Sequence, residues 1–215
     1  MNSKTMLFAA TLILLACLVQ PAQGYAGAKE WNFKVYLGDS AIGHHRFRLD
    51  KQDGYTKLTT EADFKVRFLF ITAYRYQHVN TETWQGDCLQ EIRSHTDANG
   101  RVQQVHGERE SDGFRIDLPE RREPIAGCVK TFAYWDAGIL QEDALLNPQT
   151  GELAPVTVEL VAEEKVKVRG AEVPAKKYRL MTNDLSLDVW YSNDSEWLAL
   201  ESTTRDGRTL RYELI

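Results

Sequence analysis

The chain has 215 residues, 43% of them hydrophobic and 27% charged, with 31 acidic against 26 basic side chains and a net charge of −5. Those values suit a soluble domain and exclude a disordered chain, a collagen and a polytopic membrane protein. A pI near 5.6 without a basic stripe also argues against nucleic acid as a partner.

The first segment reads as a secretory signal peptide, 1–24. Lys4 opens it. Met6 to Val19 is an uncharged run interrupted only by Thr11, and Pro21 stops any helix. Ala22 and Gly24 then place small residues at −3 and −1 of a cleavage point. The run is shorter than the roughly 18–20 residues of a spanning helix. A second exported reading competes: Leu14-Leu15-Ala16-Cys17 resembles a lipobox with Cys17 acylated. The expected location is periplasmic or secreted, with a membrane-anchored lipoprotein as the alternative. Cleavage after Gly24 leaves 215 − 24 = 191 residues, read as a single antiparallel β domain over 25–215. Two cysteines remain, Cys88 and Cys128. An oxidising compartment favours a disulfide between them over two buried thiols. Neither has a cysteine or histidine at zinc-ligand spacing, so no metal is expected.

Along the mature chain, period-two alternation predicts strands. Trp31, Phe33, Val35 and Leu37 alternate with Asn32, Lys34 and Tyr36, and Gly38-Asp39-Ser40 turns the chain. Ile42 to Leu49 follows, then Tyr55 to Phe64, Val66 to His78 and Thr81 to Trp84. Cys88 to Thr96, Arg101 to His106, Phe114 to Leu118 and Val129 to Trp135 are further strands, separated by turns such as Asp97-Ala98-Asn99-Gly100 and Ser111-Asp112-Gly113. Asp136 to Leu146 is the one helical stretch, ended at Asn147-Pro148 because the residue before proline leaves the helical region. Gly170-Ala171 suggests a tight hairpin pairing Val168 with Val173. Around Arg205-Asp206-Gly207, a three-residue loop pairs Leu198 with Leu214, Leu200 with Tyr212 and Ser202 with Leu210, whereas a two-residue loop would set Leu200 against Glu213. A one-residue slip turns a strand over, so the apolar match selects the three-residue loop with Gly207 at positive φ. The expected fold is all-β: a highly curved antiparallel sheet or barrel with one short helix.

Three stretches carry a resemblance. Trp31-Asn32-Phe33-Lys34-Val35-Tyr36-Leu37 with Ile42-Gly43-His44-His45, the run Phe132-Ala133-Tyr134-Trp135-Asp136, and the strands about Asp206-Gly207 resemble a group of secreted bacterial all-β proteins of unknown function. The resemblance implies an exported, highly curved β domain, similar in shape to periplasmic lipoprotein carriers; it implies no established activity and carries over no catalytic residues.

Chemistry is sparse. His44-His45 points to opposite faces of a strand, so the pair cannot share a metal in regular geometry. There is no G-x-S-x-G elbow, no Ser-x-x-Lys and no phosphate-cradling glycine loop. Glu108, Glu110 and Asp112 read as a solvated turn. Arg121-Arg122 with Lys130 is one basic cluster, and Lys165, Lys167 and Arg169 on one face of a strand are another. The aromatic residues are the lead: Phe68, Phe70, Tyr74 and Tyr76 in one run, with Tyr134 and Trp135, either fill the core or line a cavity. The resulting expectation is an exported, non-enzymatic protein without a cofactor that binds an apolar or lipid-like molecule in a curved sheet. The rivals are an envelope scaffold with a packed core that binds another envelope protein and, behind it, a hydrolase with a hidden site.

Overall fold

The computed structural model describes residues 28–215 except 69–70, 119–120 and 205. The signal-peptide and Cys17 expectations fall outside that set. After β1 (Lys29–Leu37), an up-and-down meander runs through β2 (Ser40–Gln52), β3 (Tyr55–Phe68), β4 (Ile71–Gln85), β5 (Cys88–Ala98), β6 (Arg101–Arg109), β7 (Gly113–Leu118) and β8 (Arg121–Ala126). A crossover segment, 127–156, contains a 3₁₀ turn (Ala137–Gln141) and the small pair β9 (Ala144–Leu146) and β10 (Leu153–Pro155). A second meander follows: β11 (Thr157–Val168), β12 (Ala171–Met181), β13 (Ser186–Tyr191), β14 (Trp197–Thr203) and β15 (Thr209–Leu214). Because β15 pairs with β1, the two meanders join as one antiparallel sheet in the order β11-β12-β13-β14-β15-β1-β2-β3-β4-β5-β6-β7-β8. The sheet is open, with β11 and β8 as its edges.

So many twisted strands cannot stay flat, and the sheet curls around its apolar face. Alternation selects that face: Trp31, Phe33 and Val35 are buried on β1, Phe47 and Leu49 on β2, and Leu58, Ala62 and Phe64 on β3. Phe33 sits at the centre of an aromatic cluster, 4.4 Å from Trp197 and 6.1 Å from Phe47, ring centre to ring centre. The crossover segment occupies the concavity and touches both meanders. The Tyr191 hydroxyl donates to the Tyr134 carbonyl at 2.9 Å, the Tyr76 hydroxyl to Gln149 Oε1 at 3.1 Å, and Trp135 meets Trp84 edge-on at 5.7 Å. A disulfide, Cys88–Cys128, ties the start of this segment to the start of β5.

The C-terminal hairpin has the apolar register: Leu200 pairs with Tyr212 and Ser202 with Leu210, and Gly207 has φ +80°. Several expectations need correction. The stretch from Val66 to His78 is not one strand; β3 ends at Phe68, β4 begins at Ile71, and residue register shifts at Val66/Arg67. The aromatic run therefore straddles a chain reversal. The hairpin near Gly170 turns at Arg169-Gly170, so Val168 pairs with Ala171 and Val166 with Val173. Both turn residues have positive φ, 49° and 85°, and glycine in the second place suits that two-residue turn better than Ala171 would. Arg169 belongs to this turn, while Lys165 and Lys167 lie exposed on the strand. Val129 to Trp135 is not a strand; only Thr131 makes a bridge, to Leu146. The helix expected over Asp136 to Leu146 is a five-residue 3₁₀ turn capped by Asp136, whose side chain accepts from the Gly138 N–H at 2.9 Å. Its second half becomes β9, because Leu145 and Leu146 are fully buried against the sheet. Lys130 leaves the basic cluster as well: it is buried and bound by Glu142 at 3.2 Å, whereas Arg122 bonds Asp117.

Candidate functional site

The inward face of β4 departs from the usual pattern. Tyr76, His78, Asn80, Glu82 and Trp84 alternate toward the concavity, and His78, Asn80 and Glu82 are 5%, 2% and 1% exposed, while Val79 on the outer face is 51% exposed. Polar groups are placed inside and an apolar one outside. Burying such groups is costly unless each finds a partner. Some do. Glu82 accepts from Asn80 Nδ2 at 2.8 Å, from Trp84 Nε1 at 3.0 Å and from the Thr131 hydroxyl of the crossover at 3.2 Å. His78 Nδ1 lies 2.8 Å from the Thr96 hydroxyl, and His45 Nδ1 3.4 Å from the Tyr212 hydroxyl.

These residues line a cavity of about 220 Å³ between the sheet and the crossover. Phe47, Phe132, Tyr134, Trp135, Trp197 and Tyr212 supply its aromatic walls, and His45, Thr60, Asn80 and Glu82 its polar ones. Four polar atoms on these walls are closed to solvent and lack a hydrogen-bond partner: His45 Nε2, Thr60 Oγ1, Asn80 Oδ1 and Trp135 Nε1. Burial sets the charge states. It lowers His45 to about 3, helped by His78, and lowers His78 to about 4, helped by His95. Both are neutral imidazoles at ordinary pH. Burial pushes the Glu82 carboxyl up to about 7 against the three hydrogen bonds that favour its charged form. It also raises the Tyr76, Tyr134 and Tyr212 hydroxyls, which remain protonated.

Chemically, the site offers acceptors, neutral bases and one acid that titrates near neutrality. A carboxyl and two imidazoles in one cavity are the kind of grouping that performs proton transfer. The hydroxyl nearest a histidine belongs to Thr96, which is fully buried and is not on the cavity wall. No group of three or more potential metal ligands is found among the described residues.

Of the aromatic residues singled out in the sequence, the structure brings Tyr76, Tyr134 and Trp135 to the cavity. Tyr74 is 39% exposed, three residues past the start of β4 and clear of the cavity. Phe70 and the side chain of Phe68 lie outside the described set. His44 is exposed while its neighbour His45 reaches the cavity, as alternation on a strand requires. Glu108 and Glu110 both pair with Arg115. Asn80 and Glu82 carry no motif that marks them in the sequence. Their signal is a spacing: His78, Asn80 and Glu82 stand at i, i+2 and i+4, interleaved with Val79 and Thr81.

A crystal structure described as a beta-barrel-like protein of domain of unknown function DUF1849 from Brucella abortus is similar to this chain. The TM-score is 0.64, covering 86% of this chain and 94% of that one at 9% sequence identity. A likeness at that identity shows the fold: a large curved antiparallel sheet. No curated protein matches the sequence. The model of a family described as a domain of unknown function, DUF6134, matches residues 33–215, and the chain belongs to that family.

Proposed function

We propose that this protein is exported and binds a small apolar or lipid-like molecule in the cavity beneath the crossover, without transforming it. The observation that carries the reading is the cavity itself: aromatic walls around a partly open recess of about 220 Å³, with buried polar atoms left without partners. Groups of that kind are costly to leave unmade, and a bound molecule would satisfy them. Size narrows the class. An apolar cavity of roughly 150 Å³ holds benzene, and drug-sized ligands need roughly 300 Å³ or more. The cavity suits one ring or a short chain, and a two-chain lipid exceeds it.

Native mass spectrometry of protein purified from the periplasm should show a bound small molecule that solvent extraction removes. Ala133, 3% exposed on the cavity wall, offers a blocking variant: Ala133→Leu should abolish the adduct. Repeated preparations without an adduct, together with no thermal shift from benzyl alcohol, would overturn the reading. Export is checked on the same preparation: an N-terminus at Tyr25 supports cleavage, an acylated Cys17 selects the anchored form, and an intact Met1 refutes both.

One observation favours a second reading, an envelope protein that binds a protein partner. Edge strand β11 exposes Leu160 (55%) and Val161 (43%) side by side at an irregularity in its pairing. An open edge accepts an added strand. Crosslinking in intact cells should then capture a partner through β11, and a Leu160→Lys, Val161→Lys variant should lose it.

A further inference from the structure

We propose that the cavity is built for a small cationic amphiphile, an amine on a ring-sized or short aliphatic body, with Glu82 as its counter-ion. This rests on the binding reading above and names the ligand class. Glu82 stands on the cavity wall with only neutral donors around it: Asn80, Trp84 and Thr131. Among the described residues no lysine or arginine pairs with it. The nearest cation along the crossover, Lys130, precedes Thr131 and is already held by Glu142 at 3.2 Å and Asp136 at 3.9 Å. A buried carboxylate without a counter-charge is the costly arrangement that a bound cation relieves.

The neighbouring atoms ask for the same ligand. Asn80 commits its amide nitrogen to Glu82, which leaves Oδ1 as an acceptor without a partner. A ligand anion would face the carboxylate. A hydroxyl brings one donor, and an ammonium brings three. The rings of Trp135, Phe132 and Tyr134 receive the apolar body, and aromatic faces also attract a cation.

The charge of Glu82 makes the preference depend on pH. On its own strand it is flanked by Asn80 and Trp84, with His78 beyond. Across the sheet it lies opposite Leu58 on β3 and Ile92 on β5, and Thr131 covers it from the crossover. His78 and His45, the histidines sharing the cavity, are neutral above about 4, and the Tyr76, Tyr134 and Tyr212 hydroxyls are held protonated by burial. The cations on those elements, Lys57, Lys65 and Arg67 on β3, Arg75 on β4 and Arg93 on β5, are exposed, and Lys130 of the crossover is held by Glu142, so the preference for an amine rises as Glu82 ionises through about 7.

Calorimetric titration of the mature chain with benzylamine, benzyl alcohol and benzoate tests the assignment. Near pH 8, benzylamine should bind at least about tenfold more tightly than benzyl alcohol, and benzoate should not bind. Near pH 5.5, benzylamine should lose that advantage because the carboxyl is then protonated. Glu82→Gln should remove it at both pH values while benzyl alcohol still binds. If Glu82→Gln fails to fold, the wild-type comparison at the two pH values decides. Equal affinity for amine and alcohol, or an advantage that does not change with pH, overturns the amine assignment and leaves the small-molecule reading standing. Failure of all three probes, with no adduct by native mass spectrometry, overturns both.

Discussion

At the scale of single residues, Glu82 should mark the stability curve of the whole protein. Its folded pKa, about 7, lies above the ordinary carboxylate value of 4.5. Below 4.5 both folded and unfolded states hold the proton and the group contributes nothing. Between 4.5 and 7 the unfolded chain releases its proton while the folded protein keeps it, so stability falls as pH rises. The full penalty, about 3 kcal/mol, is reached above 7. The two cavity histidines act with the opposite sign. Their folded values of about 3 and 4 lie below 6.5, so the unfolded chain takes up protons first and stability falls as pH drops from 6.5 toward 4. Glu82→Gln removes only the alkaline penalty. In chemical denaturation the variant should match wild type near pH 4, exceed it near pH 8 by up to about 3 kcal/mol, and retain the loss on the acid side. A variant less stable than wild type at pH 8 would mean that the charged form is the one the fold favours.

At the scale of elements, the curvature that makes the cavity depends on how closely β2 and β3 approach one another. Gly43 pairs with Phe64, and a Cβ built on it would lie 1.9 Å from the Asp63 carbonyl oxygen. Gly43→Ala must separate the two strands just before His45 enters the cavity. The expected loss is about 3 kcal/mol in urea denaturation, and a midpoint equal to wild type would show that the strands are not pressed together there. Most of these elements were legible in the sequence because a half-buried strand writes its period into it, as Trp31, Phe33 and Val35 do. The apolar match that set Leu200 against Tyr212 was legible for the same reason. The break between Phe68 and Ile71 was not, because the run carries no glycine, proline, asparagine or aspartate to announce a reversal. Val129 to Trp135 has the composition of a strand, but it lies inside the concavity, where side-chain contacts to Glu82, Trp84 and Tyr191 replace most ladder hydrogen bonds. The cavity was half visible: Tyr76, Tyr134 and Trp135 stand out in the sequence as aromatic residues, while Asn80 and Glu82 gain a place in it only from the register of β4.

At the scale of the molecule, the fold is an open sheet whose two edges are bridged through its own interior by the crossover. That segment starts at a covalent tie, is joined to β5 by the Leu89 N–H to Val129 carbonyl bond at 3.0 Å, and folds back on itself through the Leu146 N–H to Lys130 carbonyl bond at 2.8 Å between its own β9 and its first residues. The tie closes a loop spanning 40 residues. In the chain-entropy account that constraint is worth about 4 kcal/mol of global stability, and the bond also fixes the end of the crossover that leads into the cavity wall. Cys128 is exposed, so a reductant reaches the bond. Reduction, or Cys88→Ser with Cys128→Ser, should lower stability by up to about 4 kcal/mol. In native-state hydrogen exchange, the amides of Leu89, Phe132 and Leu146 should lose protection ahead of those in β1 and β2. The order of loss is the informative part. If the sheet and the crossover lose protection together, the segment is as integral as any strand, and opening it cannot be the way a molecule enters the cavity. If the crossover loosens first, the bond between Cys88 and Cys128 is what holds that wall of the binding site against the sheet.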